Sequence, residues 1–333
     1  IAGDGGRISI MIWVGVIFLY YLLATLMPID KIIGRIYPVF AFALIFMALA
    51  LMVCLFVKWP SLPELWDGLG NLGESKGLLS GQPIFPCLFI TIACGAVSGF
   101  HATQSPMMAR CLTDERLGRP VFYGAMITEG IVALIWATVS SWFFFDGGAA
   151  EVGATVSAAA PDVVVKVSKG WLGVLGGILA ILGVVAAPIT SGDTAFRSAR
   201  LIVADFLHLN QKPVANRLMI SIPLFLIAGV LLWYNIADEN GFNVIWRYFG
   251  WANQTLAVFM LWTATAYLVK FKKGLTYLIT MIPAAFMTAV CTTYICVAKI
   301  GLGLPDSWNR AIGLATFVVS LVVFYILYFR RRK

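Results

Sequence analysis

Charge is what this 333-residue chain has least of: Asp, Glu, Lys and Arg make up 12% of it, against about 25% in a soluble domain. Histidine occurs twice and cysteine six times. None of Cys54, Cys87, Cys94, Cys111, Cys291 and Cys296 forms a C-x-x-C pair, so the usual zinc spacing is missing and no metal site is expected. These thiols read as small buried hydrophobes. There is no G-x-x-x-x-G-K-[ST] loop, so the chain does not hydrolyse ATP in the usual way. H-E-x-x-H and a serine nucleophile elbow are lacking too. Nothing here asks for catalytic residues or a cofactor, and the expectation is a protein that is not an enzyme.

What is present is apolar. Hydrophobic residues make up 60% of the chain and the mean hydropathy is +0.89, which defines an all-α polytopic membrane protein. The net charge of +8 does not imply a nucleic-acid partner, because Lys and Arg lie in short loops between apolar runs. About nine stretches are long enough to cross a bilayer: 8–27, 36–57, 83–100, 121–145, 171–190, 217–235, 249–269, 275–298 and 309–329. One set of alternate loops, with Arg110, Arg116, Arg119, Lys270 and the 330–333 tail, holds twice the basic residues of the other. By the positive-inside rule that set faces the cytoplasm, and so does the C-terminus.

The whole of 1–333 reads as one transmembrane domain. Residues 58–82 and 146–168 form two longer extracytoplasmic loops. The first should hold a short interfacial helix around Trp59, Leu62, Leu65 and Trp66. Residues 191–216 read as a cytoplasmic interfacial helix and loop, with Phe196 and Leu201 alternating with Arg197, Arg200 and Asp205.

The apolar pattern fails inside one expected span. Phe85–Phe100 begins as a membrane helix and runs into His101-Ala-Thr-Gln-Ser-Pro106. Backbone that leaves the helix at membrane depth survives only where protein or a water-filled cavity satisfies it. Gly/Pro-interrupted segments of this kind point to a carrier's binding site. Histidine titrates nearest physiological pH and can couple proton movement to a conformational change; otherwise His101 caps a helix end. Glu129, about 12 Å along its helix from Val121, is the sole acid of the 121–145 run. It either carries a proton or pairs with Arg110 or His101. Thr190, Ser191, Asp193 and Thr194 offer oxygen ligands for a small cation; alternatively Ser191 or Asp193 caps a helix and Asp193 pairs with Arg197. Asn253 and Gln254 enter a span behind Trp246, Tyr248 and Trp251, as ligands or as interhelical hydrogen bonds.

These motifs resemble the carbon starvation protein A family of bacterial inner-membrane carriers. The likeness runs through Phe89–Arg110, Val121–Ile131, Thr190–Arg200 and Trp246–Leu256, with Pro28-Ile-Asp-Lys31 in addition. It implies uptake of peptides, or of pyruvate in some members, during carbon starvation. It also implies a place in the amino acid–polyamine–organocation superfamily, with two inverted five-helix repeats and discontinuous helices, the break at 98–106 opening the second. Family members start with further spans, so helices ahead of Ile1 are expected partners of this site. The implied function is a cation-coupled secondary transporter, with proton rather than sodium as coupling ion. Its partners are membrane lipid and a peptide or small carboxylate. Gly95, Ser98, Gly99, His101, Thr103, Gln104, Ser105, Asn253 and Gln254 would line the substrate site. His101 and Glu129 would carry the proton, and Thr190, Ser191, Asp193 and Thr194 form the sodium alternative. The rival readings are a channel, which would need rings of like groups, and a membrane sensor.

Overall fold

The computed structural model describes residues 4–26, 30–78, 82–156, 160–238, 241–272 and 274–328. Every regular element among them is helical. In chain order these are α1 (Asp4–Leu26), α2 (Asp30–Lys58), α3 (Leu65–Leu69), α4 (Leu72–Ser75), α5 (Ile84–Ala96), α6 (Phe100–Thr103), α7 (Ser105–Cys111), α8 (Ala125–Phe145), α9 (Gly148–Glu151), α10 (Ala160–Ala180), α11 (Ala187–Phe206), α12 (Val214–Ala237), α13 (Gly241–Phe271), α14 (Leu278–Val297) and α15 (Asn309–Tyr328). π-helical turns at Arg119–Gly124 and Ile181–Ala186 lead into α8 and α11.

Six segments among the described residues are long and apolar enough to cross a membrane: Pro38–Lys58, Glu115–Phe145, Ala160–Val184, Val214–Ala237, Leu278–Val297 and Asp306–Tyr328. Between 6% and 44% of each apolar stretch is buried within the protein, so most of this surface faces outward, as in lipid. The chain is a multi-pass membrane protein. Three of the nine expected spans differ for identifiable reasons. α5 is 13 residues long because the helix ends at Ala96. α13 has the length, at 31 residues, but Arg247, Asn253, Gln254 and Thr255 dilute its hydropathy. α1 contributes a shorter apolar stretch, Met11–Ala24.

The expected loop 146–168 is also shorter than its sequence suggested. α10 begins at Ala160, with Pro161 in its first turn, where a missing N–H costs nothing. Gly173, at φ +63°, then kinks the helix. Trp59, just after α2, and Trp66, in α3, are 77% and 76% exposed.

The chain forms two compact units: residues 1–63 with 131–232, and residues 64–130 with 233–333. The first packs Met47 and Leu51 of α2 against Val139 and Phe143 of α8 and Val167 and Ala180 of α10. Helices in lipid gain little from the hydrophobic effect, so close packing has to hold them. Gly183 meets the backbone of Leu44 in this way, and Gly192 lies against the ring of Tyr21. The second unit builds its core from Ile90, Val258, Met287, Val290, Cys291 and Tyr294. Side-chain hydrogen bonds reinforce it: Trp262 Nε1 donates to Thr288 Oγ1 at 3.0 Å, and Thr265 and Thr280 hydroxyls meet at 2.8 Å.

Candidate functional site

The interrupted helix is present, and its interruption falls at Val97–Gly99, between α5 and α6. Ser98 is 2% exposed. Its hydroxyl accepts the Phe100 N–H at 3.3 Å, taking one of the donors that a new helix start leaves unsatisfied. Gln104 separates α6 from α7. Pro106 stands in the first turn of α7 and so begins that helix.

α13 of the same unit supports the break. A Cβ on Gly99 would collide with the backbone carbonyl of Asn253 and stand 2.8 Å from both Asn253 Oδ1 and Leu256 Cβ. Only glycine allows that approach. Asn253 is 6% exposed and Gln254 is fully buried. Gln254 Nε2 donates to the Ile90 carbonyl at 3.5 Å, tying α13 to α5. Two motifs about 150 residues apart in sequence therefore meet.

Tyr248 and Trp251, where aromatic residues at the head of a span would ordinarily anchor it at the lipid interface, pin α13 to the α14 region. Trp251 Nε1 donates to the Cys291 carbonyl at 3.0 Å, and the Tyr248 hydroxyl to the Ile300 carbonyl at 2.6 Å. Sequence reasoning missed this role, and the spacing of aromatics does not distinguish the two.

His101, in α6, has its Nε2 buried without a hydrogen-bond partner among the described residues. Such an orphaned nitrogen costs free energy. Glu129 is its electrostatic neighbour, and Gly130 lies against the Gly95 carbonyl, 3.6 Å from where a Cβ would stand. The imidazole and the carboxylate expected to work together thus share a region. Thr103 donates its hydroxyl to the Phe100 carbonyl of its own turn at 3.2 Å. Gln104 and Ser105 are half-buried at the joint between α6 and α7.

The second polar cluster belongs to the other unit and is described by itself. α11 runs unbroken from Ala187, so Ser191 and Asp193 are interior residues and cap nothing. Asp193, 4% exposed, pairs with Arg197 at 3.5 Å. Ser191 is exposed and Thr194 half-buried; the Thr190 side chain lies outside the described residues. Burial pushes the Arg200 guanidinium below its usual value, neighbouring Arg217 and Arg197 add to this, and Asp193 opposes it. Among the described residues no cluster of three or more His, Cys, Asp or Glu residues could hold a metal ion.

The carbon starvation protein CstA family model matches residues 7–172 and 146–294. The chain belongs to this family. It is 46% identical over 147 residues to an uncharacterized membrane protein of Haemophilus influenzae, covering 40% of each chain. It is 29% identical over 296 residues to the peptide transporter CstA of Escherichia coli, covering 70% of this chain and 41% of the relative. With the pyruvate/proton symporter BtsT of E. coli it shares 27% over 323 residues, covering 72% and 43%. The chain thus spans about two-fifths of the length of these relatives. No solved structure matches it.

Proposed function

We propose that this chain forms part of a secondary transporter of the bacterial inner membrane that imports short peptides or pyruvate by proton-coupled alternating access. One observation carries the reading: a membrane helix broken at Val97–Gly99, seated on buried Asn253 and Gln254, with an unpartnered His101 nitrogen beside it. Broken backbone at membrane depth supplies N–H and C=O groups that a substrate's termini or carboxylate can use. The printed names of two relatives, a peptide transporter and a pyruvate/proton symporter, agree with both substrate classes.

The coupling residues in this reading are His101 and Glu129. Protonation of one, relayed to the other, changes the charge beside the break and biases it between two arrangements. A proton is preferred over sodium because Asp193, the sole acid of the 190–194 cluster, is paired with Arg197. The same proposal includes nine crossings in the inverted-repeat arrangement, the 58–82 and 146–168 loops outside and the C-terminus in the cytoplasm.

The test is uptake of labelled dialanine and labelled pyruvate into proteoliposomes under separately imposed pH and sodium gradients. Uptake of at least one substrate, driven by the pH gradient alone, is expected. Flux that ignores both gradients refutes the coupling, and absence of uptake of either compound refutes the substrate assignment.

A further inference from the structure

Away from the break, the unit of residues 64–130 and 233–333 contains a cleft of about 820 Å³ lined by Asn71, Glu74, Phe85, Asp306, Asn309 and Arg310 among others. It lies at the start of α5, and the break at its end. Thirteen residues at 1.5 Å each separate them by about 20 Å. The cleft is therefore distinct from the site above.

Its walls are built. The Asn71 amide donates to Glu74 Oε2 at 2.7 Å and to the Gln82 carbonyl at 3.1 Å, fixing the first carboxylate. On the opposite stretch of chain a 3₁₀ turn, Asp306–Trp308, leads directly into α15. This turn brings a carboxylate, an amide and a guanidinium within five residues of each other. Asn309 is 6% exposed, and its Oδ1 is buried with no hydrogen-bond partner. Among the described residues no ion pair joins Arg310 to Asp306 or to Glu74. Two carboxylates and one guanidinium, all exposed, thus line one cavity without neutralising one another directly.

That set complements a small molecule with an ammonium group at one end and a carboxylate at the other. We propose that the cleft is a binding site for a zwitterion of the size of a dipeptide or tripeptide. Its ammonium group lies between Glu74 and Asp306 and its carboxylate on Arg310. Phe85 offers apolar surface to a side chain. Pyruvate has no ammonium group and does not satisfy this set. The proposal rests on the peptide half of the functional reading. In the proposed orientation the cleft opens on the outer face, where it would capture substrate ahead of the break.

Titration calorimetry of the purified protein in detergent, with dialanine, N-acetylalanine and alaninamide as probes, tests it. Dialanine should bind, and each end-blocked probe should bind at least about tenfold more weakly, the loss of one charge-assisted contact. Arg310→Ala should weaken dialanine about tenfold while still discriminating against the acetylated probe, which also shows that the variant is folded. Asp306→Ala should lose that discrimination and keep the penalty for amidation. No dialanine binding overturns the proposal, and so does binding that both variants leave unchanged. Calorimetric binding together with absent dialanine uptake in proteoliposomes upholds the cleft and overturns the peptide half of the transport reading.

Discussion

Replacing Gly99 by alanine puts the smallest possible side chain where α6 passes α13. The new Cβ would stand 2.8 Å from Leu256 Cβ, short of the roughly 3.5–4.0 Å at which carbon atoms pack by about 1 Å. It would also meet the Asn253 carbonyl, which is backbone and cannot rotate away. The two segments must therefore separate by about 1 Å, at an overpacking cost of about 1–3 kcal/mol. Gly130→Ala is the matched control. Its Cβ meets only the Gly95 carbonyl at 3.6 Å, an ordinary contact, and alanine inside a helix gains about 0.5–1 kcal/mol over glycine. Thermal unfolding in one detergent should give a lower midpoint for Gly99→Ala and an unchanged or higher one for Gly130→Ala. Uptake by Gly99→Ala at a permissive temperature should fall about 100-fold, the scale of a 1 Å misplacement of reacting or binding groups. A Gly99→Ala protein that melts with the wild type refutes the claim that α13 holds the break.

Further outcomes follow from the same contacts. His101→Ala should abolish pH-driven uptake, and full retained activity would reduce His101 to a structural role. Glu129→Gln should flatten the pH dependence of uptake, which in the wild type should rise as external pH falls; an unaltered profile removes Glu129 from the relay. Asp193→Asn should lower stability by about 1–2 kcal/mol, between an exposed and a buried pair, and leave uptake indifferent to sodium; loss of a sodium dependence would revive the cation site. Trp251→Phe should cost about 0.5–1.5 kcal/mol, the net worth of one hydrogen bond, measured as a lower unfolding midpoint.

The helix break was legible because Gly95, Ser98, Gly99, His101 and Pro106 interrupt an apolar run, and lipid cannot solvate the backbone they free. Its support was legible only as a separate oddity, an amide pair at the head of another span. What joins them is the missing side chain of Gly99, and a lone sequence does not say which backbone fills that space. The α11 cluster was legible in part, since the Asp193–Arg197 pair follows from its i, i+4 spacing while the helix start does not. Thr190, Ser191, Asp193 and Thr194 have the composition of ligands and of caps. Their helix starts four residues before Ser191, and an i, i+4 arginine takes the carboxylate. Composition reports what a side chain can do, while helix phase decides which neighbour it meets first. The same distinction separates His101 from Asp193. Both are polar residues in an apolar chain, but Asp193 has its counter-charge one turn away, whereas the buried nitrogen of His101 has no partner among the described residues. A polar group already satisfied by its own helix needs no ligand, so the case for function falls on the break.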